Sequence, residues 1–387
     1  MQKRENRAIK STNRQVDFML LLIIILLLAS GIVMVLSASA PSALSETGNS
    51  YTYVTKQVIF AVGGLVIMYI ASKFDYHIFN KFYWPIYWIS IGILLLVLVP
   101  GLKYSANGAT RWVDLGFIQF QPSELTKVGL IVFYAGYLSD HKDELRDFKT
   151  GFVKPLIYLA IPVAIAYFIQ NHLSVGLVMS LITVVMMLVA GCRMAYFIYA
   201  GLIGGGLGGG VFALHVLAKG ENAGASSFRL DRILNFMNPW ADPTGTGWQA
   251  INSLYAIGSG GLFGAGLGES KQKYLYIPEP QNDFIFSILA EELGFVGCSV
   301  VIILFAIFVW RGIVIAMKAP DMFGSLLATG ITTLVFVQVA INIGVVTNSI
   351  PNTGMPLPFF SAGGTALVIL LGMCGILLNI SKSMSKV

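Results

Sequence analysis

Asp283 stands where a long polar loop gives way to a long apolar run, within Ile277-Pro278-Glu279-Pro280-Gln281-Asn282-Asp283-Phe284-Ile285-Phe286. An acid in such a run is costly, which makes it a functional-site hypothesis by default. The competing reading is structural: an aspartate at a helix start accepts hydrogen bonds from the free N–H groups of the first turn. Glu291 and Glu292 follow in the same run. At about 100° per residue, Glu291 falls about 80° from Asp283 and roughly 12 Å deeper, so the two can share a bundle-facing surface, whereas Glu292 points about 180° away. Glu292 therefore needs a partner of its own. For both glutamates a bundle ion pair or hydrogen bond comes ahead of catalysis.

Cations suited to an anionic group occur in the loops. The segment 101–122 contains Asn107-Gly108-Ala109-Thr110-Arg111-Trp112 and leads into Phe120-Gln121-Pro122-Ser123-Glu124-Leu125-Thr126-Lys127. Ser123, Glu124 and Lys127 read as a helix start, and the i, i+3 spacing of Glu124 and Lys127 lets them pair on one face. That pair either neutralises itself so that the span can enter the membrane, or holds a cation for an anionic head group; the pattern supports both readings equally. Arg111 beside Trp112 suits phosphate binding at an interface, where tryptophan is also ordinary. The loop 218–282 adds Arg229, Arg232, Lys271 and Lys273, the run Asn238-Pro239-Trp240-Ala241-Asp242-Pro243, and glycines from Gly260 to Gly268. Glycines followed by lysine resemble a phosphate loop, but no strand precedes them and the spacing differs. A backbone nest or turns re-entering the protein fit better. The segment 348–362 has prolines at 351, 356 and 358 and no charge, so it packs into the protein or skims the membrane.

Cys192, Cys298 and Cys374 are scattered in or beside apolar runs, and His77, His141, His172 and His215 are dispersed. Neither a disulfide framework nor a metal site is expected from such spacing. No Ser/His/Asp or Cys/His arrangement can be assembled. One carboxylate among several cations fits the activation of a hydroxyl beside a phosphate leaving group.

The elements that must position these groups are membrane helices. The chain has 387 residues, is 56% hydrophobic and 11% charged, and has a mean hydropathy of +0.75; soluble domains carry about 25% charged residues. The net charge is +6, but the basic residues flank apolar runs instead of clustering on one face, so nucleic acid is not an expected partner. The first apolar run exceeds a signal-peptide core of ~7–15 residues and reads as a retained span. Runs near the ~20 residues that a span needs occur at 17–38, 56–73, 82–100, 123–138, 153–170, 173–191, 194–217, 283–310, 322–347 and 363–381. No alternating strand pattern recurs, so they are read as helices. The chain is thus expected to be an all-α polytopic membrane protein of about ten transmembrane helices. A tail 1–16 precedes one membrane domain, 17–381, and a tail 382–387 follows it. Its largest loop, 218–282, lies between helices 7 and 8. The N-terminal tail and the loops alternating with it carry twice as many Lys and Arg as the opposite set, which predicts that both termini are cytoplasmic. Loops 101–122, 218–282 and 348–362 then lie outside, 218–282 as a large extracellular loop, and the chemistry faces outward. The runs Gly204–Gly206 and Gly208–Gly210 in the seventh span read as close helix packing.

Several signatures occur together: Asn107-Gly108-Ala109 with Arg111-Trp112, Gln121-Pro122-Ser123-Glu124 with Lys127, Pro278-Glu279 with Asp283-Phe284-Ile285-Phe286, Glu291-Glu292-Leu293-Gly294, and Pro351 with Thr353-Gly354, Leu357-Pro358 and Gly363-Gly364. In these the chain resembles the SEDS family of peptidoglycan polymerases from near residue 15 to its C-terminus. Asn238-Pro239-Trp240 with Asp242-Pro243 is similar to the FtsW/SpoVE branch more than to RodA. The chain departs at Gln170-Asn171-His172-Leu173-Ser174-Val175, where the family often has Gln-Pro-Asp-Leu-Gly-Thr, and at Asn282 and Ala362.

The resemblance implies a glycosyltransferase of the bacterial cytoplasmic membrane that polymerises lipid II at the outer face, in cell division or spore cortex synthesis. It also implies Asp283 as the catalytic carboxylate. The sugar 4-hydroxyl of lipid II loses a proton as it attacks C1 of the growing glycan, expelling undecaprenyl pyrophosphate, and a tuned base suits that step. Cations stabilise charge on the pyrophosphate; Arg111, Lys127, Arg229, Arg232 and Lys271 are the candidates. Trp112, Glu124, Glu279, Glu291, Glu292 and Ser361 are the candidate supporting residues. No cofactor is required by the sequence, although a divalent cation beside the pyrophosphate is chemically reasonable. The implied partners are lipid II, the growing glycan on undecaprenyl pyrophosphate, a class B penicillin-binding protein and other division or sporulation membrane proteins. Two other classes compete. A lipid II flippase would place polar residues near the midplane in broken helices, where Glu291, Glu292 and the glycine-rich seventh span would serve. A non-catalytic scaffold of a division complex is the third.

Overall fold

The structure, a computed structural model, describes residues 16–106, 109–116, 119–202, 236–245, 247–274 and 276–384. Helices dominate: α1 (Phe18–Thr47), α2 (Thr52–Lys73), α3 (His77–Lys81), α4 (Tyr83–Leu95), α5 (Pro122–Asp140), α6 (Lys154–Phe168), α7 (Leu173–Ala190), α8 (Trp248–Ser259), α9 (Ile285–Lys318), α10 (Met322–Val346) and α11 (Gly364–Ser381). Among the described residues, seven helical stretches are long and apolar enough to cross a membrane, which makes the chain a polytopic helical membrane protein. Seven of the ten predicted runs coincide with these stretches, with different ends; the runs 82–100 and 123–138 fall on α4 and α5, which are not among the seven. Of the seventh run, 194–217, residues 194–202 are helical; its glycine runs, together with Asn107, Gly108, Arg229 and Arg232, lie outside the described residues.

Local chemistry sets the helix ends. The Asp17 side chain caps α1 by accepting from the Leu20 N–H at 2.9 Å, and the helix stops at Gly48, whose left-handed conformation (φ 73°) lets its N–H reach Leu44 O. α1 runs well past the predicted end at 38 because Ser39, Ser42 and Ala43 still pack against protein, whereas hydropathy marks only where the apolar stretch fades. Helix α5 starts with Pro122 at its first turn, where the missing N–H costs nothing.

The bundle is built around α5 and α10. Helix α5 is buried on nearly every side, and α10 packs against α9, α7 and α5. A central helix faces protein and not lipid, so these two can carry Glu124, Lys127, Gln338 and Asn342. One end of the bundle, where the described chain begins and ends, is closed by polar ties. Asp17 pairs with Arg311, with the guanidinium Nε donating at 3.0 Å, and its N–H donates to Ser381 at 3.1 Å. The Tyr76 hydroxyl donates to Asp321, which caps α10 through the Gly324 N–H. Asn379 on α11 bonds the Tyr76 N–H and the Ser72 carbonyl.

Two features were not read from the sequence. The segment 103–120 forms a three-stranded antiparallel sheet of β1 (Lys103–Ala106), β2 (Ala109–Asp114) and β3 (Gln119–Phe120), in order β1-β2-β3. Ala106 pairs with Ala109 and Lys103 with Val113. Asn-Gly between two strands is the strongest short hairpin signal, and Asn107-Gly108 separates β1 from β2; the strands are too short to have stood out by alternation.

The second feature is that α9 is broken. Gly294 has φ 65° and ψ −165°, so the element is two helices meeting at a corner. The freed backbone groups are met by the glycine-rich loop. The N–H groups of Ala265 and Gly266 donate to the carbonyls of Glu291 and Glu292 at 2.9 and 3.0 Å, and those of Phe295 and Val296 donate to Gly261 and Leu262 at 2.9 and 3.0 Å. A Cβ on Gly294 would lie 2.3 Å from the Gly264 nitrogen, and one on Gly264 would lie 2.1 Å from the Glu292 oxygen. Only glycine fits on both sides of this seam. Irregular backbone within a membrane-spanning stretch survives only where protein satisfies it. The loop is thus a re-entering turn, one of the two arrangements expected of it.

Candidate functional site

The end of the bundle remote from Asp17 and Ser381 gathers the start of α9, the segment 348–363, the hairpin and the starts of α5 and α7. Asp283 is half-buried there, two residues before α9. It does not occupy the helix cap: the cap residue is Phe284, and no side chain bonds the first turn from it. The chain turns at Phe284, whose carbonyl accepts from the Ser287 N–H, so the aspartate is carried one residue outside the position from which a cap works.

Three staples join the Asp283 strand to the proline-rich segment. Asn342, a buried amide on the largely apolar helix α10, donates from Nδ2 to the carbonyl of Asp283 at 2.7 Å and to that of Met355 at 2.8 Å. The Ser361 hydroxyl donates to the Asn282 carbonyl at 2.6 Å and accepts from the Leu357 N–H at 2.8 Å. The Ala362 N–H donates to Gln281 at 2.8 Å. Next to the first staple, one residue before Met355, lies Gly354, with φ +63°; a Cβ there would sit 3.3 Å from Oδ2 of Asp283. The carboxylate therefore faces the backbone of Gly354. The segment packs into the protein, one of the two placements expected of it: Met355, Leu357, Phe359 and Phe360 are buried, and Phe359 and Phe360 meet Phe305 and Phe308 of α9.

Glu124 and Lys127 pair at 2.9 Å, with the lysine side chain fully buried. The ammonium faces its glutamate and not an open surface. Glu124 also lines a cavity of about 40 Å³ with Gln338, Leu357 and Ser361, beneath the proline-rich segment, room enough for water. Arg111, on β2, donates to the carbonyls of Gln170 and Asn171 at 3.4 and 3.0 Å. It thereby holds the turn between α6 and α7. The segment that departs from the family pattern completes this frame: His172 caps α7 by accepting from the Val175 N–H at 3.2 Å, and the Ser174 hydroxyl donates to the Thr353 carbonyl at 2.7 Å. Trp112 is half-buried opposite Tyr104. On the neighbouring turn Asp114 accepts from the Gln119 amide at 2.8 Å and the Gly116 N–H at 2.7 Å, which hold its carboxyl below the usual range.

Glu291 and Glu292 are turned to the glycine loop. Glu291 accepts from the Ser270 hydroxyl at 2.5 Å and from the N–H groups of Lys271 and Gln272 at 2.9 and 3.3 Å. Glu292 finds its partners in Lys273 at 2.9 Å and in the Ser37 hydroxyl of α1, at 2.6 and 2.7 Å from its two oxygens. Lys271 itself is exposed. Glu279 is exposed, has φ +47°, and accepts from the Asn282 amide at 2.8 Å. Arg229 and Arg232 cannot be placed, since they lie outside the described residues. Among the described residues no grouping of His, Cys, Asp and Glu is of the kind that holds a metal.

Asn342 and Gln57 have no role in the sequence reading, and Lys273 enters it as a loop cation without being paired to Glu292. Gln57 on α2 donates to the Ser361 carbonyl at 3.3 Å. The signal was available for two of them: a buried amide in an apolar run must find hydrogen bonds, and Gln338 and Asn342 stand one turn apart on one face of α10.

The class defined so far is a helical membrane protein with a half-buried carboxylate held at one end of the bundle by a rigid uncharged segment. Comparison with known proteins makes it specific. The family model described as cell cycle protein, covering FtsW, RodA and SpoVE, matches residues 17–386, and the chain belongs to that family. It is 42% identical over 366 residues to stage V sporulation protein E of Bacillus subtilis, covering 95% of this chain and 97% of that one. It is 39% identical over 370 residues to a probable peptidoglycan glycosyltransferase FtsW of Trichlorobacter lovleyi, covering 96% and 94%. Among solved structures, a chain of a peptidoglycan synthase complex that coordinates polymerization and crosslinking aligns with a TM-score of 0.74 at 27% identity, covering 95% and 97%. Thermus thermophilus RodA, a rod shape determining protein, aligns with a TM-score of 0.68 at 25% identity, covering 96% and 98%.

Proposed function

We propose that this chain is a peptidoglycan glycosyltransferase of the cytoplasmic membrane that polymerises lipid II at the outer face, with Asp283 as general base. The observation that carries the reading is the placement of Asp283. It is half-buried, outside the helix cap and turned toward Gly354, in a chain whose relatives are named for this activity. The 4-hydroxyl of lipid II gives its proton to the Asp283 carboxylate while its oxygen bonds to C1 of the growing glycan. The C1–O bond to undecaprenyl pyrophosphate breaks, and the electron pair leaves with the pyrophosphate. A base within hydrogen-bond reach contributes about 10²–10⁴-fold to such a step.

Arg111, Arg229, Arg232 and Lys271 are proposed to face the pyrophosphate. Lys127 acts through Glu124 beneath the site, and Trp112, Glu279 and Ser361 shape its walls. Glu291 and Glu292 fix the loop behind it. The membrane domain 17–381 is proposed to cross ten times with both termini cytoplasmic, and the partner is a transpeptidase of the penicillin-binding class. The test is polymerisation of lipid II in detergent, where flipping has no meaning. The chain, with its partner, forms glycan; Asp283→Asn inserts normally and forms none. Glycan formation by Asp283→Asn at the wild-type rate would sink the base assignment, and no product from the wild-type complex would favour transport.

A further inference from the structure

Asn342 is a buried carboxamide (1% exposed) with an unusual division of labour. Both Nδ2 bonds go to main-chain carbonyls of different segments, Asp283 and Met355, while its Oδ1 is buried without a hydrogen-bond partner among the described residues. A side chain placed only to satisfy the core would use its acceptor as well. Here the donors alone are used, and both serve to set the distance between the carbonyl of residue 283 and the turn at 354–355. That turn is the surface the Asp283 carboxylate faces. The neighbouring Ser361 staple ties the same two segments one position away at Asn282 and two positions away at Leu357, whereas Asn342 bonds the main chain of residue 283 itself.

We propose that Asn342 is a positioning residue for the reaction: it fixes the height and direction of the Asp283 carboxylate against Gly354 without touching substrate. The inference rests on the reading of Asp283 as base. Asn342 sits near the end of α10, a rigid central helix, so the reference point for the base is the bundle core and not the loops around it. Displacing a reacting group by about 1 Å costs about 100-fold in rate. A positioning role therefore lowers kcat and leaves KM in place, because the substrate contacts are untouched.

The test uses the purified full-length chain with its crosslinking partner and lipid II. Asn342→Asp keeps the shape and replaces both donors by an acceptor facing two carbonyl oxygens. Asn342→Ser keeps one donor at shorter reach. With melting temperatures like the wild type, Asn342→Asp is expected to lower kcat about 100-fold with KM unchanged, and Asn342→Ser to fall between. Wild-type kcat in both variants overturns the proposal, as does a rise in KM alone. Failure of both variants to melt like the wild type also overturns it, in favour of a purely structural role. Asp283→Asn is assayed alongside. If it is inactive while the Asn342 variants are normal, the base assignment stands and the positioning inference falls; if it is active, the base assignment itself is lost.

Discussion

Replacing Lys273 by methionine isolates the energetics of the corner in α9. The side chain keeps its length and loses its charge. Glu292 is fully buried and holds Lys273 at 2.9 Å and the single hydroxyl of Ser37. Lys273 also donates to the Gly268 carbonyl at 2.5 Å and to Ser37 at 3.2 Å. At this separation and an effective dielectric near 20 the direct attraction is about 6 kcal/mol. The lysine's own desolvation cost vanishes with it, so the net loss is smaller. Breaking a buried pair by removing one partner costs about 3–5 kcal/mol, because the remaining charge is stranded. Glu292→Gln should cost less, since Lys273 keeps Ser37 and the Gly268 carbonyl. The double variant, with no charge left to strand, should be less destabilised than Lys273→Met alone. The assay is denaturant unfolding in detergent, followed by tryptophan fluorescence, for the wild type and the three variants. Independent sites add to within about 0.5 kcal/mol. A double variant whose loss equals the sum of the singles, or a Lys273→Met chain as stable as the wild type, refutes the account of the corner as held by this pair.

Gly294→Ala should cost about 3–5 kcal/mol, combining backbone strain with a clash against the Gly264 and Leu262 backbone; full stability in the same unfolding assay would show that the corner can relax. Ser361→Ala strands the buried Leu357 N–H and the Asn282 carbonyl, so it should cost about 1–3 kcal/mol and lower the polymerisation rate, whereas an unchanged rate would detach this staple from the site. Asp114 is held below the ordinary carboxylate range by Gln119 and then by Gly116. Its contribution to the hairpin is therefore present above the ordinary value of about 3.9 and is lost as pH falls through the lowered one. Hydrogen-exchange protection of residues 112–116 and 119–120, corrected for intrinsic rates, should hold from neutral pH down to about pH 4, and a fall between pH 7 and 5 would contradict it.

The helices were legible because span length and hydropathy leave few alternatives in a bilayer. The hairpin was not, since its strands run only four, six and two residues and alternation over such lengths is ordinary in any loop. The corner at Gly294 was hidden for a different reason: an apolar run spanning 285–318 looks continuous whether or not the backbone turns within it. At the site, Asp283 stood out as an acid at an apolar boundary, and Glu292's need for a partner followed from helical geometry. The identity of that partner, Lys273, depends on how the glycine loop folds back, which spacing alone does not contain. The cap reading of Asp283 failed by one residue, within the usual uncertainty of helix ends. That one residue matters chemically. It sets the carboxylate outside the first turn of α9, where it faces the backbone of Gly354.

A broken membrane helix is also what a lipid transporter would use, so the corner in α9 bears on both readings. In transporters the half-helix ends point free backbone groups at the substrate. Here the carbonyls of Glu291 and Glu292 and the N–H groups of Phe295 and Val296 are each matched by a group of the loop 261–266, and both carboxylates are engaged by residues 270–273 and Ser37. A passing head group would have to displace this whole set at once. The break is better understood as a way to aim the first half-helix. Nine residues, 285–293, span roughly 13 Å at 1.5 Å per residue, and that rod is pinned at its deep end by the glycine loop and at its other end by Asn342 and Ser361. Asp283 stands at the pinned tip. An unbroken helix through 285–318 would carry the aspartate along the axis of the lower half and away from Gly354, so the corner, the buried ion pair behind it and the carboxylate's direction are one mechanical unit. Loosening Lys273 should therefore lower the polymerisation rate of the fraction that remains folded, a coupling a transport path lined by the same residues would not require.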